Sequence, residues 1–262
     1  MTGSSRMLSF AVWFGFATVA LLPAQTPAPA KGPDKEIAAK IAVVREVLAD
    51  RKFSRDAEGT KVIDELNTKY KDMDPKDQQA TVKLLGDVLS TGKQRPPEQI
   101  ELYIAAAAAL GYCGSDGAKV LKTAYANKTR YPEKPEWVRL REQFLKWLGR
   151  TKDESMVKFL LGEALNNPEA TLQAAAGEAL GHYSESKEAL RKEIVSELLR
   201  RYGSLDEQAS VLGTNVEAQN ARDRLATVTD KWHGALGKLT GQSFTKFRDW
   251  QSWYNDNKNR PW

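Results

Sequence analysis

Cysteine is almost absent from this chain: its 262 residues contain only Cys113. An intrachain disulfide cannot form, which excludes the disulfide-stabilised scaffolds that are common among small secreted domains. Cys113 follows a Gly-Tyr pair at the end of a predicted helix, so we expect a small buried thiol. A reactive thiol or an intermolecular disulfide is the alternative.

Histidine is scarce as well, with His182 and His233 as the only two. A zinc site needs three or four His, Cys or carboxylate ligands at recognisable spacing, and the sequence offers no such set. It also has no Gly-x-Ser-x-Gly sequence and no glycine-rich phosphate loop before a helix. We therefore predict no metal, no cofactor and no enzyme activity. A lyase-like accessory enzyme is the less favoured alternative, and it would need a deep pocket joining a histidine to carboxylates.

Long runs of one charge are also missing. The 39 Lys and Arg residues are interspersed with 34 Asp and Glu residues, which leaves a formal net charge of +5. A nucleic-acid groove would need clustered basic residues, so we predict no nucleic-acid partner. Glu185 and Glu188 lie beside Lys187 and Arg191. We interpret these two carboxylates as solvated helix charges rather than as an acid–base pair.

What the chain does contain is apolar residues at helical spacing, and no segment alternates as a half-buried strand does, so we predict an all-α fold. One pattern recurs four times, as Leu102/Ala106/Leu110-Gly111, Leu140/Phe144/Leu148-Gly149, Leu172/Ala176/Leu180-Gly181 and Val228/Trp232/Leu236-Gly237. Residues four and eight positions apart share one helix face, so each copy predicts one helix with a buried stripe. The glycine predicts the helix end, because it tolerates a left-handed backbone.

Helices of this kind gain stability by stacking, so the repeat predicts a right-handed α-solenoid of HEAT-like helix pairs with capping helices. We assign residues 34–97 to an N-terminal helical cap or degenerate repeats, 98–241 to the HEAT-like repeats and 242–262 to a C-terminal aromatic capping helix. The longest interval between Leu-Gly sites separates Gly181 from Gly237, and its extra length must lie after Tyr202. Because this stretch is polar and begins with Gly203, we predict an insertion near 203–220, either extended or partly helical.

Two Pro-containing pairs mark predicted helix starts. In both Asp74-Pro75 and Asn167-Pro168, a short polar side chain precedes a proline. The first residue suits the N-cap and the proline suits the first helical position, where its missing N–H costs nothing.

The N-terminus has the layout of an export signal. Arg6 precedes an uncharged apolar run that ends at Leu22. We predict a signal peptide over residues 1–24 and a Pro/Ala-rich linker over 25–33. The run is shorter than the ~20 residues that span a bilayer, which favours cleavage over an uncleaved membrane anchor. The expected location is therefore periplasmic or secreted, with membrane contact only through an uncleaved signal.

Basic residues predicted on the second helices of the pairs form the first candidate binding surface. They are Lys119, Lys122, Lys158, Arg191, Lys192 and Arg200. Second helices usually line the concave side of a solenoid, and a basic strip there suits an acidic peptide or an anionic polymer. Interspersed acids such as Glu193 and Glu197 leave an ordinary solvated face as the alternative.

Aromatic residues near the C-terminus form the second candidate. Phe247, Trp250 and Tyr254 share one face of the last predicted helix, with Trp253 beside them. Trp250 and Trp253 offer a stacking platform for a sugar or a peptide. The favoured interpretation is that these rings seal the open end of the last repeat. Trp232 falls on a buried stripe, and we assign it to the core.

The Ala-rich helices ending at Gly111 and Gly181 resemble those of bacterial exported HEAT-like repeat proteins, over roughly residues 98–240. The segment Leu239-Thr240-Gly241-Gln242-Ser243-Phe244, followed by Trp250 and Trp253, looks like the C-terminal segment that closes many such proteins. Some members of the wider family attach bilin chromophores, but no group of residues here supports that role.

The resemblance implies protein binding as the default function. We accordingly expect a non-catalytic scaffold or adaptor of the cell envelope with a protein partner, and we expect no small-molecule partner. A polysaccharide- or cell-wall-binding module that uses the C-terminal aromatic residues is the alternative.

Overall fold

The computed structural model describes residues 34–211 and 216–262. Over these residues the chain forms eleven α-helices and four short 3-10 turns, and no strand, which confirms the all-α prediction. The helices are α1 Lys35–Ala49, α2 Asp56–Lys69, α3 Pro75–Ser90, α4 Glu101–Leu110, α5 Gly114–Ala126, α6 Val138–Arg150, α7 Val157–Asn166, α8 Ala170–Leu180, α9 Glu188–Ala209, α10 Val216–Thr240 and α11 Phe247–Asn257. The predicted signal peptide and linker lie outside the described residues.

The helix contacts run in two series. Helices α2, α4, α6, α8 and α10 each pack against the next member of the set. In the second series α1 packs on α3, α3 on α5, α7 on α9 and α9 on α11. Side chains join α5 to α7, since the Tyr125 ring lies 5.7 Å from the Phe159 ring. The core lies between the two series.

The four repeat copies supply the buried stripes that their spacing predicts. All twelve apolar residues of these copies are buried, Trp232 included. The Trp232 indole N–H donates to the carbonyl of Gln173 at 3.2 Å, so its one polar atom is satisfied inside the core. The assignment of Trp232 to the core is confirmed.

The glycines of the Leu-Gly pairs have a different role from the predicted one. Gly111 and Gly181 follow the ends of α4 and α8 but keep right-handed φ values of −59° and −64°. Helices α6 and α10 continue past Gly149 and Gly237. The expectation of a left-handed helix stop is therefore wrong at these positions.

Close packing explains three of these glycines instead. A Cβ on Gly111 would lie 2.9 Å from the Trp147 ring, one on Gly149 would lie 2.5 Å from the Ala179 carbonyl oxygen, and one on Gly181 would lie 2.9 Å from the Ala235 Cα. Each contact joins one helix of the first series to the next. The repeated glycine therefore allows neighbouring helices to approach closely at these three points.

The two Pro-containing helix starts have different outcomes. The Asp74 carboxylate accepts the Lys76 N–H at 3.0 Å and Pro75 is the first residue of α3, as predicted. Helix α8 begins later than Asn167-Pro168 indicates, because Glu169 is its N-cap. The Asn167 side chain instead accepts the Glu169 N–H at 2.8 Å and shapes the turn before the helix.

The predicted insertion near 203–220 is mostly helix. Helix α9 has 22 residues and α10 has 25. The additional residues of this repeat interval therefore lengthen these two helices. Within the described residues, 203–209 and 216–220 are helical, which agrees with the partly helical alternative. Gly203, which suggested a loop, lies under Phe247 of α11, whose ring would be 2.7 Å from an added Cβ.

A lysine ties three helices of the first series together. The Lys231 ammonium of α10 lies 2.5 Å from the Glu142 carboxylate of α6 and 3.4 Å from the Glu178 carboxylate of α8. These two acids hold the pKa of Lys231 above its ordinary value against the opposing effect of burial. Among the described residues, no helix combines the length and the apolar character needed to cross a membrane.

We predict that Gly149→Ala destabilises the fold by about 2 kcal/mol or more, because its Cβ would meet the backbone of α8. Gly162→Ala is the matched control, since a Cβ there meets nothing within 4 Å. That change should stabilise α7 by about 0.5–1 kcal/mol, because alanine is the better helix former. Urea unfolding would measure both. Equal effects of the two changes would contradict a packing role for Gly149.

Candidate functional site

The six basic residues predicted to bind a partner all lie on the second helix series. Lys119 and Lys122 are on α5, Lys158 is on α7, and the other three are on α9. The structure therefore places them on alternate helices, but their surroundings differ.

Arg191 and Lys192 bind the C-terminal segment of the chain itself. Arg191 donates from Nη1 to the Leu239 carbonyl at 3.0 Å and from Nη2 to the Trp262 carbonyl. Lys192 donates to the Arg260 carbonyl at 2.7 Å, and both cations lie over the Trp262 ring. Their predicted place on a free binding surface is wrong, because these interactions occupy their charged groups.

The other four basic residues are exposed. Lys119 pairs with Asp116 at 3.2 Å and Arg200 with Glu197 at 2.7 Å. Lys122 lies over the Phe159 ring, with 5.3 Å between its Nζ and the ring centroid. Exposed pairs of this kind contribute little to stability, so the two paired cations remain accessible to a partner.

The two tryptophans of the aromatic candidate also differ in their surroundings. Trp250 is fully buried, and its N–H donates to the Phe244 carbonyl at 3.1 Å. Its ring cannot serve as an exposed platform, so its assignment to a ligand site is wrong. Trp253 is half-buried and packs edge-on against Trp262 at 5.1 Å. The rings of the last helix thus cover the end of the core, with Trp250 and Phe247 packed beside Tyr202 and His233.

A groove between α3 and α5 is the best candidate binding site. Its volume is about 530 Å³, and its apolar lining includes Val82, Leu89, Val120 and Ala124. Lys119 lies on the same groove, so one of the predicted basic residues does border a concave surface. Concave, mostly apolar sites with a few charged groups are typical of ligand and peptide binding.

Both signs of charge border the groove. Lys83 and Lys119 are matched by Asp87 and Asp116. Because the local charges balance, the groove has no net charge that would attract a partner. Specificity would depend on its apolar floor and on the positions of the individual charges.

Gly86 keeps the floor of the groove open. It lies inside α3, where glycine is less favourable than alanine by roughly 0.5–1 kcal/mol. A Cβ there would meet Val120 of α5 at 3.5 Å, an ordinary contact distance. Packing alone therefore does not require glycine at this position, in contrast to Gly149. A glycine inside an otherwise regular helical pattern is the sequence signal that would have indicated this groove.

The two histidines have separate surroundings. His233 Nε2 lies 3.0 Å from the Tyr202 hydroxyl, and its ring packs near Trp250. Burial lowers the pKa of His233, while nearby Asp230 partly opposes this effect. Burial also lowers the pKa of His182, with a further contribution from the positive charge of Lys238.

Cys113 is buried, as expected from its position. Its thiol donates to the Ala109 carbonyl at 3.3 Å. Burial raises its pKa to about 11, so the nucleophilic thiolate is disfavoured at neutral pH. Within residues 34–211 and 216–262, no group of three His, Cys or carboxylate side chains is arranged to hold a metal ion.

Comparison with known proteins returned no match: no family model, curated protein or solved structure is significantly similar to this chain. The functional argument therefore depends on the structure and on the sequence pattern.

We predict that Arg191→Ala loosens the C-terminal segment and lowers the free energy of unfolding by roughly 1–2 kcal/mol, because two carbonyls lose a charged donor. Limited proteolysis should cut the variant within residues 255–262 sooner than the parent protein. Arg200→Ala is the control, since in the part of the chain that the structure describes Arg200 forms a surface ion pair with Glu197. If both variants resist the protease equally, Arg191 does not anchor the segment.

We also predict that stability falls between pH 7.5 and pH 5. The folded-state pKa of His233 is below its ordinary value of 6.5, so protons bind the unfolded chain more readily. Its contribution is complete above pH 6.5 and is lost as the pH falls below that value. The change His233→Gln should make the free energy of unfolding less dependent on pH in this window. An unchanged slope in urea titrations, with His182→Gln measured in parallel, would contradict the prediction.

Proposed function

We propose that this protein is a non-catalytic scaffold or adaptor of the cell envelope that presents a right-handed, HEAT-like solenoid surface to a protein partner. Three observations support this architecture: the repeated Leu-Gly pattern, the two series of helix contacts, and the equivalent positions of the three packing glycines. Stacked helix pairs of this kind create extended binding surfaces.

The groove between α3 and α5 is the observation that carries the proposal. Its floor of Val82, Val120 and Ala124 suits the apolar face of a short amphipathic helix or an extended segment. Lys83 and Lys119 would pair with acidic residues of that segment. Asp87 and Asp116 would repel a segment whose acidic residues face them instead. Exposed Lys122 lies three residues further along α5, with its ammonium over the Phe159 ring of α7.

The proposed location follows from the N-terminal pattern of the sequence. Residues 1–24 would direct export and residues 25–33 would separate the helical part from the export machinery or the membrane. The partner would then be a periplasmic or secreted protein.

The cell-wall-binding alternative has less support. It needs two exposed rings side by side, and Trp250 is buried while Trp253 packs on Trp262. The enzyme alternative needs a histidine joined to carboxylates in one pocket, whereas His233 faces Tyr202 and Trp250.

We predict that Gly86→Ala makes the protein more stable but a weaker binder. The added methyl group should raise the free energy of unfolding by about 0.5–1 kcal/mol while it narrows the groove. In affinity capture from an envelope extract, the parent protein should retain a defined protein partner. The variant should retain about fivefold less of it, a loss of about 1 kcal/mol of binding free energy.

Gly162→Ala is the matched control, because it makes the same chemical change on an exposed part of α7. It should gain similar stability and keep the partner. The charge change Lys119→Glu should also reduce capture. Equal capture by both glycine variants, or capture of glycan in place of protein, would contradict the proposal.

A further inference from the structure

A second, smaller cleft lies at the N-terminal ends of α6 and α8, away from the groove residues. Its volume is about 210 Å³, which is the scale of one amino-acid residue. Val138 and Leu172 supply apolar walls, with Pro135 and Pro168 beside them, and Arg141 of α6 also lines it.

Arg141 is buried but its hydrogen bonding is incomplete. Only 1% of the residue is exposed. Nη1 donates to the carbonyls of Tyr125 and Tyr131, both at 3.0 Å. Nε and Nη2 are also buried, yet they have no hydrogen-bond acceptor among the described residues. Buried guanidinium donors normally have acceptors, so this edge of Arg141 has unused donor capacity.

Another arginine of the same chain shows what this edge binds. Arg95 is also 1% exposed, and its Nε and Nη2 each donate to a different oxygen of the Asp56 carboxylate at 2.6 Å. The Nε–Nη2 edge of a guanidinium matches the spacing of two carboxylate oxygens. In the described part of the chain, no carboxylate forms a hydrogen bond with the same edge of Arg141.

Glu133 is the nearest acid and acts as a loose competitor. Its Oε1 lies 3.5 Å from Arg141 Nη2 but 2.9 Å from the Lys128 ammonium. Its side chain is 49% exposed, so water can solvate the Glu133 carboxylate. An incoming carboxylate would therefore need to displace Glu133 only from Arg141, and the Glu133–Lys128 pair could remain.

The surroundings of the cleft favour an anion. The N-terminal ends of α6 and α8 contribute partial positive charge. Lys134 lines the cleft, and Arg224 donates to the carbonyls of Asn167 and Pro168 at 3.1 Å and 2.7 Å. The acid Glu169 is occupied as the cap of α8, where it accepts the Thr171 N–H at 3.3 Å.

We propose that this cleft binds a carboxylate attached to a small apolar group, with the two oxygens held by Arg141 Nε and Nη2. The apolar group would lie against Val138 and Leu172, and the volume of the cleft limits it to about one residue. Two sources share this chemistry: a free carboxylic acid and the C-terminal carboxylate of a peptide. This site is independent of the α3–α5 groove and of the function proposed for it.

The test is isothermal titration calorimetry of the full chain with matched probes. N-acetyl-leucine carries the carboxylate and the apolar group, and N-acetyl-leucinamide lacks only the charge. The acid should bind roughly tenfold more tightly than the amide, because the amide cannot accept two charge-assisted hydrogen bonds. A hexapeptide that ends in leucine distinguishes the sources: tighter binding of the peptide indicates a chain terminus, and its exclusion indicates a free acid.

Two exposed acids provide a matched pair of variants. Glu133→Gln removes the competitor and should tighten binding of N-acetyl-leucine by about threefold or more. Glu136→Gln makes the same change of charge on an exposed residue three positions away, and it should change binding by much less. Neither change touches the hydrogen bonds from Arg141 to the two tyrosine carbonyls.

Arg141→Lys is the direct variant, and it should reduce binding at least tenfold because lysine cannot form the two-pronged contact. Circular dichroism shows whether this variant folds. If it does not fold, binding by the Glu133→Gln and Glu136→Gln variants tests the proposal. Equal binding of acid and amide would overturn the proposal. An equal gain from Glu133→Gln and Glu136→Gln would overturn it too, because it would indicate a general charge effect and not displacement at Arg141.

Discussion

The close approach of helices at Gly111, Gly149 and Gly181 is the constraint on which the rest of the structure depends. At each point a helix lies so near the next member of its series that the hydrogen of glycine is the only side chain that fits. This distance aligns the buried stripes and brings Trp232 against α8, where its N–H reaches the Gln173 carbonyl. The glycine gives up helix propensity locally, and the packing of large side chains on both sides offsets that cost.

Arginine provides the second recurring interaction, at the C-terminal ends of helices. Carbonyls in the last turn or at the C-cap of a helix accept hydrogen bonds from Arg130, Arg141, Arg191 and Arg224. A planar guanidinium suits this role because it donates in several directions at once. The same residue type therefore stabilises turns that are far apart in sequence, and at Arg141 the structure leaves part of that donor capacity open.

The sequence predicted the features that depend on residues close to one another along the chain. Helical spacing identified the buried stripes, Asp74 identified the start of α3, and Trp232 was assigned correctly to the core. Features that depend on distant residues were not predictable in this way. The contact of Arg191 with Trp262 joins positions 71 residues apart, and the groove exists only because α3 and α5 lie side by side. Gly203 looked like a loop residue because nothing nearby in sequence indicates the Phe247 ring above it.

The serial arrangement of the glycine contacts also affects how the molecule responds to force. Each contact joins only neighbouring helices, so a pull along the series would be carried by one interface after another, with Lys231 as a link that spans α6, α8 and α10. Small changes of angle at the three glycine contacts would therefore add along α4, α6, α8 and α10 without unfolding any helix.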